Sequence, residues 1–218
     1  MKQKDIFLQS EGDAWFDRNR QAIAKRDFEH NDSIVAAILE IIANTSDNCE
    51  SLHILEVGCG SGERLAWLSE LLRCNVYGVD PSEKAVSQAC MSRVTAQKGT
   101  AEELPFASSS FDILIFGFCL YLCDRQDLFR IAMEADRVLK PNAWLVIHDF
   151  FAQQPIKNEY YHKHGVYSYK MDYRSLFTGH PYYTCYSHRL DHHQKRQFTD
   201  DLHEWVATSV LRKKALHD

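Results

Sequence analysis

The sequence predicts an α/β fold: a doubly wound, mostly parallel sheet with helices on both faces. Three observations carry this. Short apolar segments alternate with stretches of helical periodicity, the order that builds parallel sheets from strand–helix–strand units. One of these segments, Leu52 to Val57, opens into Gly58-Cys59-Gly60-Ser61-Gly62 and then a helical pattern. Strand, glycine turn and helix in that order form the nucleotide-binding corner of a doubly wound sheet. A second strand, Asn75-Val76-Tyr77-Gly78-Val79, ends in an acid, Asp80.

The remaining elements follow along the chain. Ala14, Trp15, Phe16, Ala22 and Ile23 cluster between charges, which predicts a helix over Gly12 to Arg26. Ile34, Val35, Ile38, Leu39 and Ile42 make one stripe, a core-facing helix from Ser33 to Ala43 capped by Asp32 or Ser33. Arg64 to Leu72 is the first crossover helix, Pro81-Ser82-Glu83 starts the next, and a third spans Gln126 to Val138 before Pro141. From Asp149 the chain turns Tyr- and His-rich and reads as irregular until Tyr182; Tyr182–Ser187 and Trp205–Leu211 then read as strands.

The glycine turn constrains its ligand. Its spacing is Gly-x-Gly-x-Gly, not the Gly-x-Gly-x-x-Gly of dinucleotide sites. Glu56 inside the strand end would repel a pyrophosphate but suits a ligand carrying an ammonium or a sulfonium. Asp80 stands where an acid accepts hydrogen bonds from ribose hydroxyls. The expectation is that Glu56 and Asp80 face one groove.

At this point the chain resembles the class I S-adenosylmethionine-dependent methyltransferases of the small-molecule type (methyltransferase domain 11/25-like), over roughly residues 31 to 150. Gly99-Thr100-Ala101-Glu102-Glu103-Leu104-Pro105-Phe106 is similar to the family's adenine-contact loop, and Ser110 to Gly117 to its fourth strand. Arg137 to Ile147 is similar to its Leu-Lys-Pro-Gly-Gly turn and fifth strand. Asn142 and Ala143 replace the Gly-Gly pair; Asn tolerates left-handed geometry, so the turn survives. Thr100 stands where relatives often carry Asp, which shifts the adenine contact to the Ala101 and Glu102 backbone.

The resemblance implies a Rossmann-like, seven-stranded sheet with the last strand antiparallel. It implies S-adenosyl-L-methionine as cofactor, S-adenosyl-L-homocysteine as product, and a hydroxyl, amine or carboxylate of a small or medium-sized molecule as methyl acceptor. The cofactor set is Glu56, Gly58, Cys59 (through its backbone), Gly60, Asp80, Pro81, Ala101, Glu102, Phe116, Gly117 and Trp15. Trp15 and Phe16 would cover the sulfonium, which aromatic faces attract, and Arg18 or Asn19 would hold the cofactor carboxylate. His148 and Asp149, directly after the fifth strand, are the candidate catalytic residues; a base is needed only when the acceptor arrives protonated. Tyr160, Tyr161, His164 and Tyr169 are the candidate acceptor-binding residues, since Tyr offers a flat contact with a polar tip. His162 with His164, or His188 with His192 and His193, gives no complete metal set, so no metal is expected. The alternatives are an NAD(P)-dependent oxidoreductase on a Rossmann sheet and a non-catalytic cofactor-binding partner subunit.

Residues 1–218 read as one domain: an N-terminal helical lid (1–30), a cofactor-binding core (31–150), an acceptor-recognition insertion (150–181) and a closing strand pair (182–218). A net charge of −5 gives no basic field for nucleic acid. The longest apolar stretch, Ile113 to Cys123, is far short of the roughly 20 residues that span a bilayer, and Met1 to Phe16 holds no signal-peptide core. Seven cysteines, an odd number without a paired framework, point to a reducing, cytoplasmic setting.

Overall fold

The computed structural model describes residues 2–45 and 49–215; Met1 and residues 216–218, the outer ends of the outlined lid and closing pair, lie outside them. The strands are β1 (His53–Val57), β2 (Asn75–Asp80), β3 (Thr95–Lys98), β4 (Phe111–Gly117) and β5 (Leu139–Phe150). They continue with β6 (Ile156–Glu159), β7 (Tyr167–Lys170), β8 (Tyr183–His192) and β9 (Trp205–Lys213). Seven of them form one sheet in the order β3-β2-β1-β4-β5-β9-β8. The first five run parallel, and β9 pairs antiparallel to both β5 and β8. The fold is the Rossmann-like α/β fold that the sequence predicts. The reversal at β1, with β2 on one side and β4 on the other, makes the crevice in which ligands of such sheets bind.

β1 and β4 are buried on both faces, which is why their sequences read as continuous apolar runs. Alternate side chains feed two cores. Leu55, Leu114, Phe116 and Leu145 pack on the side of α6 (Leu128–Val138), and Ile54, Ile113, Ile115 and Val146 pack on the other side. There α3 (Ser33–Asn44) and α4 (Glu63–Leu72) cover them. The Asp32 carboxylate accepts from the Ile34 and Val35 N–H groups at 3.0 and 2.9 Å and caps α3 as expected. Ser82 likewise caps α5 (Glu83–Met91). Asn142 has φ 60, so it takes the left-handed position expected of the residue replacing glycine there.

The N-terminal segment is helical earlier than its periodicity suggests: α1 (Gln3–Ile6), a π-helical turn (Phe7–Glu11) and α2 (Gly12–Ile23). Two expectations about the C-terminal half are corrected. The stretch read as irregular holds the hairpin β6–β7 and the short α7 (Ser175–Thr178). His148 and Asp149 lie within β5, not after it, because β9 pairs with β5 as far as Phe150. Among the described residues no helix is long and apolar enough to cross a membrane.

Candidate active site

The carboxyl ends of β1 and β2 open into a cleft. Gly58, Asp80 and Pro81 form its floor, and the loop Gly99 to Glu102 one wall. Phe118, Cys119 and Leu122, just past β4, form the opposite wall, and Lys4, Phe7 and Trp15 the roof.

Asp80 is fixed by its own backbone surroundings. Its Oδ2 accepts from the Gly60 N–H at 2.9 Å and its Oδ1 from the Ser82 N–H at 2.8 Å. Burial nevertheless pushes its carboxyl up to about 6; the two N–H donors pull the other way. Gly58 has φ 77, and a Cβ there would stand 2.6 Å from Cys119 Cβ. Glycine thus serves both the left-handed turn and the close approach of the post-β4 segment. Gly58→Ala is expected to lose about 2 kcal/mol of stability, partly restored by Cys119→Gly in the same chain, as read by thermal denaturation.

The roof is fastened by polar contacts. Gln3 Nε2 donates to the carbonyls of Leu122 at 2.9 Å and Tyr167 at 3.1 Å, and Gln3 Oε1 accepts from the Tyr167 N–H at 2.6 Å. Lys4 Nζ lies 2.8 Å from the Glu102 carboxylate, and Lys2 Nζ 2.7 Å from Asp127. The Asp13 carboxylate accepts from Ser82 Oγ at 2.7 Å, tying α2 to α5.

Several expected cofactor residues stand elsewhere. Glu56 does not share the groove with Asp80: it is buried, bonded through Oε1 to Arg64 on α4, with Oε2 lacking a hydrogen-bond partner. Arg64 also reaches Asp32, Nε and Nη2 each at 3.0 Å. Burial pushes the Glu56 carboxyl up to about 7 against the pull of Arg64. Gly117 packs on this carboxylate, since a Cβ there would lie 2.8 Å from Glu56 Oε1. Phe116 is wholly buried in the α6-side core, so Phe118 lines the cleft in its place. The Cys59 N–H bonds the Val79 carbonyl at 3.2 Å, and its thiol packs towards Gly78. Gly60 acts through Asp80 and is not part of the lining. Arg18 pairs with Glu11 and Tyr160, Asn19 bonds the Trp15 carbonyl, and Phe16 is buried; of the expected aromatic cover only Trp15 faces the cleft.

A second cleft lies on the far side of Phe118, which lines both. Phe118 adopts φ 53, unusual for a bulky residue. Its N–H donates to the His148 carbonyl at 2.8 Å, and its ring meets that of His148 edge-on at 4.6 Å. His148 faces this second cleft; its Nδ1 lies 2.7 Å from Thr208 Oγ1. Burial pushes its imidazole down to about 4, so it is neutral near pH 7. Asp149, one residue on, points the other way along the pleat. Its Oδ2 accepts from the Leu120 and Tyr121 N–H groups at 2.8 and 3.2 Å, which gives it a structural task in place of the catalytic one expected.

None of the four expected acceptor-binding residues lines either cleft. Tyr161 is 94% exposed and His164 is exposed, both in the turn of the hairpin. Tyr160 accepts from Arg18, and the Tyr169 ring stacks under the Arg125 guanidinium at 4.2 Å. Tyr160 thus packs through its hydroxyl against α2, and Tyr169 through its ring. Beside the second cleft, His192, His193 and Glu204 bring ligand-type atoms within 4.8 Å of one another. The Gln194 N–H donates to His192 Nδ1 at 3.0 Å, which puts the ring proton on Nε2, facing Glu204 at 3.6 Å.

The Methyltransferase domain family matches residues 55–147, the stretch from β1 to β5 that supplies Gly58, Asp80 and the loop Gly99 to Glu102. This stretch, a little under half of the chain, is similar to the class I S-adenosylmethionine-dependent methyltransferases. S-adenosylmethionine is the cofactor of that family. The chain is 32% identical over 123 residues to an uncharacterized methyltransferase of Bacillus subtilis, covering 51% of this chain and 47% of that protein. It is 34% identical over 104 residues to a demethylmenaquinone methyltransferase of Lactiplantibacillus plantarum, covering 43% of each. The chain thus spans less than half the length of these curated relatives. Among solved structures, the 1,6-didemethyltoxoflavin-N1-methyltransferase of Burkholderia thailandensis, with 1,6-didemethyltoxoflavin and S-adenosylhomocysteine bound, aligns with a TM-score of 0.70. The alignment covers 97% of this chain and 89% of that one at 16% identity, a likeness of fold.

Proposed function

We propose that this protein transfers the methyl of S-adenosylmethionine to a hydroxyl, amine or carboxylate of a small molecule. The observation that carries the reading is Asp80, a carboxylate fixed at the end of β2 on the floor of a cleft whose remaining walls are largely apolar. It would hold the ribose hydroxyls, with the Ala101–Glu102 backbone beside the adenine and Trp15 as cover. The bound cofactor supplies an activated methyl on a good leaving group, so the protein's tasks are positioning and exclusion of water. His148, neutral and facing the second cleft, is the group suited to take a proton from an acceptor lodged there. Phe118, between the clefts, sets the boundary at which acceptor and methyl meet.

Calorimetric titration tests this: S-adenosylmethionine and S-adenosylhomocysteine should bind and NAD should not. Binding of NAD alone would assign the cleft to hydride chemistry. The affinity should also depend on pH. Asp80 must be ionised to accept two hydroxyl donors, and its carboxyl is held up to about 6. Affinity for S-adenosylhomocysteine should therefore be constant above that pH and fall about tenfold per unit below it, with a flatter profile in Asp80→Asn.

A further inference from the structure

The chain carries a net charge of −5, yet the second cleft is lined with surplus cations. Lys25 and Arg26 enter from the stretch after α2, and Lys195 and Arg196 from the turn between β8 and β9. Among the described residues none of these four makes an ion pair with a carboxylate. The nearby acids are already engaged. Asp32 and Glu56 hold Arg64, Asp27 bonds His30, and Glu204 lies against His192 and His193. Arg196 Nε is buried without a hydrogen-bond partner. Arg26 is exposed at the edge of the concavity, where partial desolvation and then the charge of Arg64 hold its guanidinium below its ordinary range. Lys25, Arg26 and Lys195 are exposed at the cleft and Arg196 is half-buried; its Nε, a buried donor without a partner, is costly to leave so, and an oxyanion would satisfy it. A cleft lined by one sign of charge also concentrates ligands of the opposite sign.

We propose that the second cleft takes the methyl acceptor by an anionic group, a carboxylate or a phosphate, gripped between Arg26 on one side and Arg196 on the other. The neutral His148 and the Phe118 ring then face the rest of the molecule, and the nucleophile lies on the side that borders the cofactor cleft. The substrate class is a small oxyanionic metabolite. This rests on the reading of the first cleft as the cofactor's.

The test uses the full chain and inorganic phosphate as probe. S-adenosylhomocysteine is titrated first, then phosphate is titrated into the saturated complex in low-salt buffer. The expected result is phosphate binding to the wild-type complex, weakened about tenfold by Arg26→Gln or Arg196→Gln and further by the pair. Arg20→Gln, an equal charge change on the exposed surface of α2, should leave it unchanged. S-adenosylhomocysteine affinity should stay the same in every variant, which also reports that each is folded. Phosphate binding that is absent, or equal in wild type and double variant, overturns the proposal. So does a loss of S-adenosylhomocysteine affinity in Arg26→Gln, since Arg26 would then serve the cofactor's own carboxylate. Failure of the wild type to bind S-adenosylhomocysteine is a separate result and strikes the cofactor reading itself.

Discussion

Replacing Asp80 by Ala is expected to weaken S-adenosylhomocysteine binding by about a hundredfold. Two hydroxyl hydrogen bonds to a carboxylate contribute roughly 1.5 kcal/mol each, and every 1.4 kcal/mol is a factor of ten. The loss has a second origin in the fold. Asp80 also receives the Gly60 and Ser82 N–H groups, so its removal loosens the glycine turn and the entry to α5 together. The two effects separate by measurement. Asp80→Asn retains the shape but only one acceptor oxygen for the two N–H donors; it should weaken binding by about tenfold and lower the melting temperature less than Asp80→Ala, which should lower both further. Unchanged affinity in Asp80→Ala would remove the cofactor from this cleft.

Arg64→Met should destabilise the protein by about 3–5 kcal/mol in urea denaturation, because it leaves the buried Glu56 carboxyl without its counter-charge. The loss should deepen as pH rises. Burial already holds the folded Glu56 carboxyl up, to about 7, and without Arg64 it rises further. Between the ordinary carboxylate range and that value the folded chain binds more protons than the unfolded one. Stability attributable to this group is therefore present at low pH and lost as pH increases. Adding Glu56→Gln to Arg64→Met should recover much of the loss and flatten the pH profile, since a neutral amide needs no counter-charge. A full loss in the double variant would show that Arg64 acts through Asp32 and the α3 cap alone.

These two carboxylates illustrate what was legible in the sequence. Asp80 was legible because it ends the second strand, where the sheet opens into the crevice beside the glycine turn. Glu56 satisfied the same sequence rule and still turned inward. Its partner, Arg64, comes from the following helix, and that pairing depends on how α4 crosses the sheet. The strands and crossover helices were legible because burial on both faces writes itself as apolar runs and stripes. The aromatic wall was placed two residues early: Phe116 is in phase with Leu114, which points into the α6-side core, and only Phe118 clears the strand. The pleat likewise divides His148 from Asp149, a separation visible once both are known to lie inside β5. The Tyr-rich stretch held no periodicity that distinguishes a hairpin from an irregular loop. Its tyrosines proved to contact Arg18 and Arg125, partners remote in sequence. The charged cleft was hidden for the same reason, since its four cations come from two stretches some 170 positions apart.

The Gln3 side chain bridges the end of one strand pair to the segment after β4, spanning 164 positions to Tyr167 and 119 to Leu122. Pairings so distant form late, after shorter loops have closed. The first cleft is thus a product of the finished tertiary structure. A fragment restricted to 55–147 would retain the glycine corner and Asp80 while missing the ceiling over them.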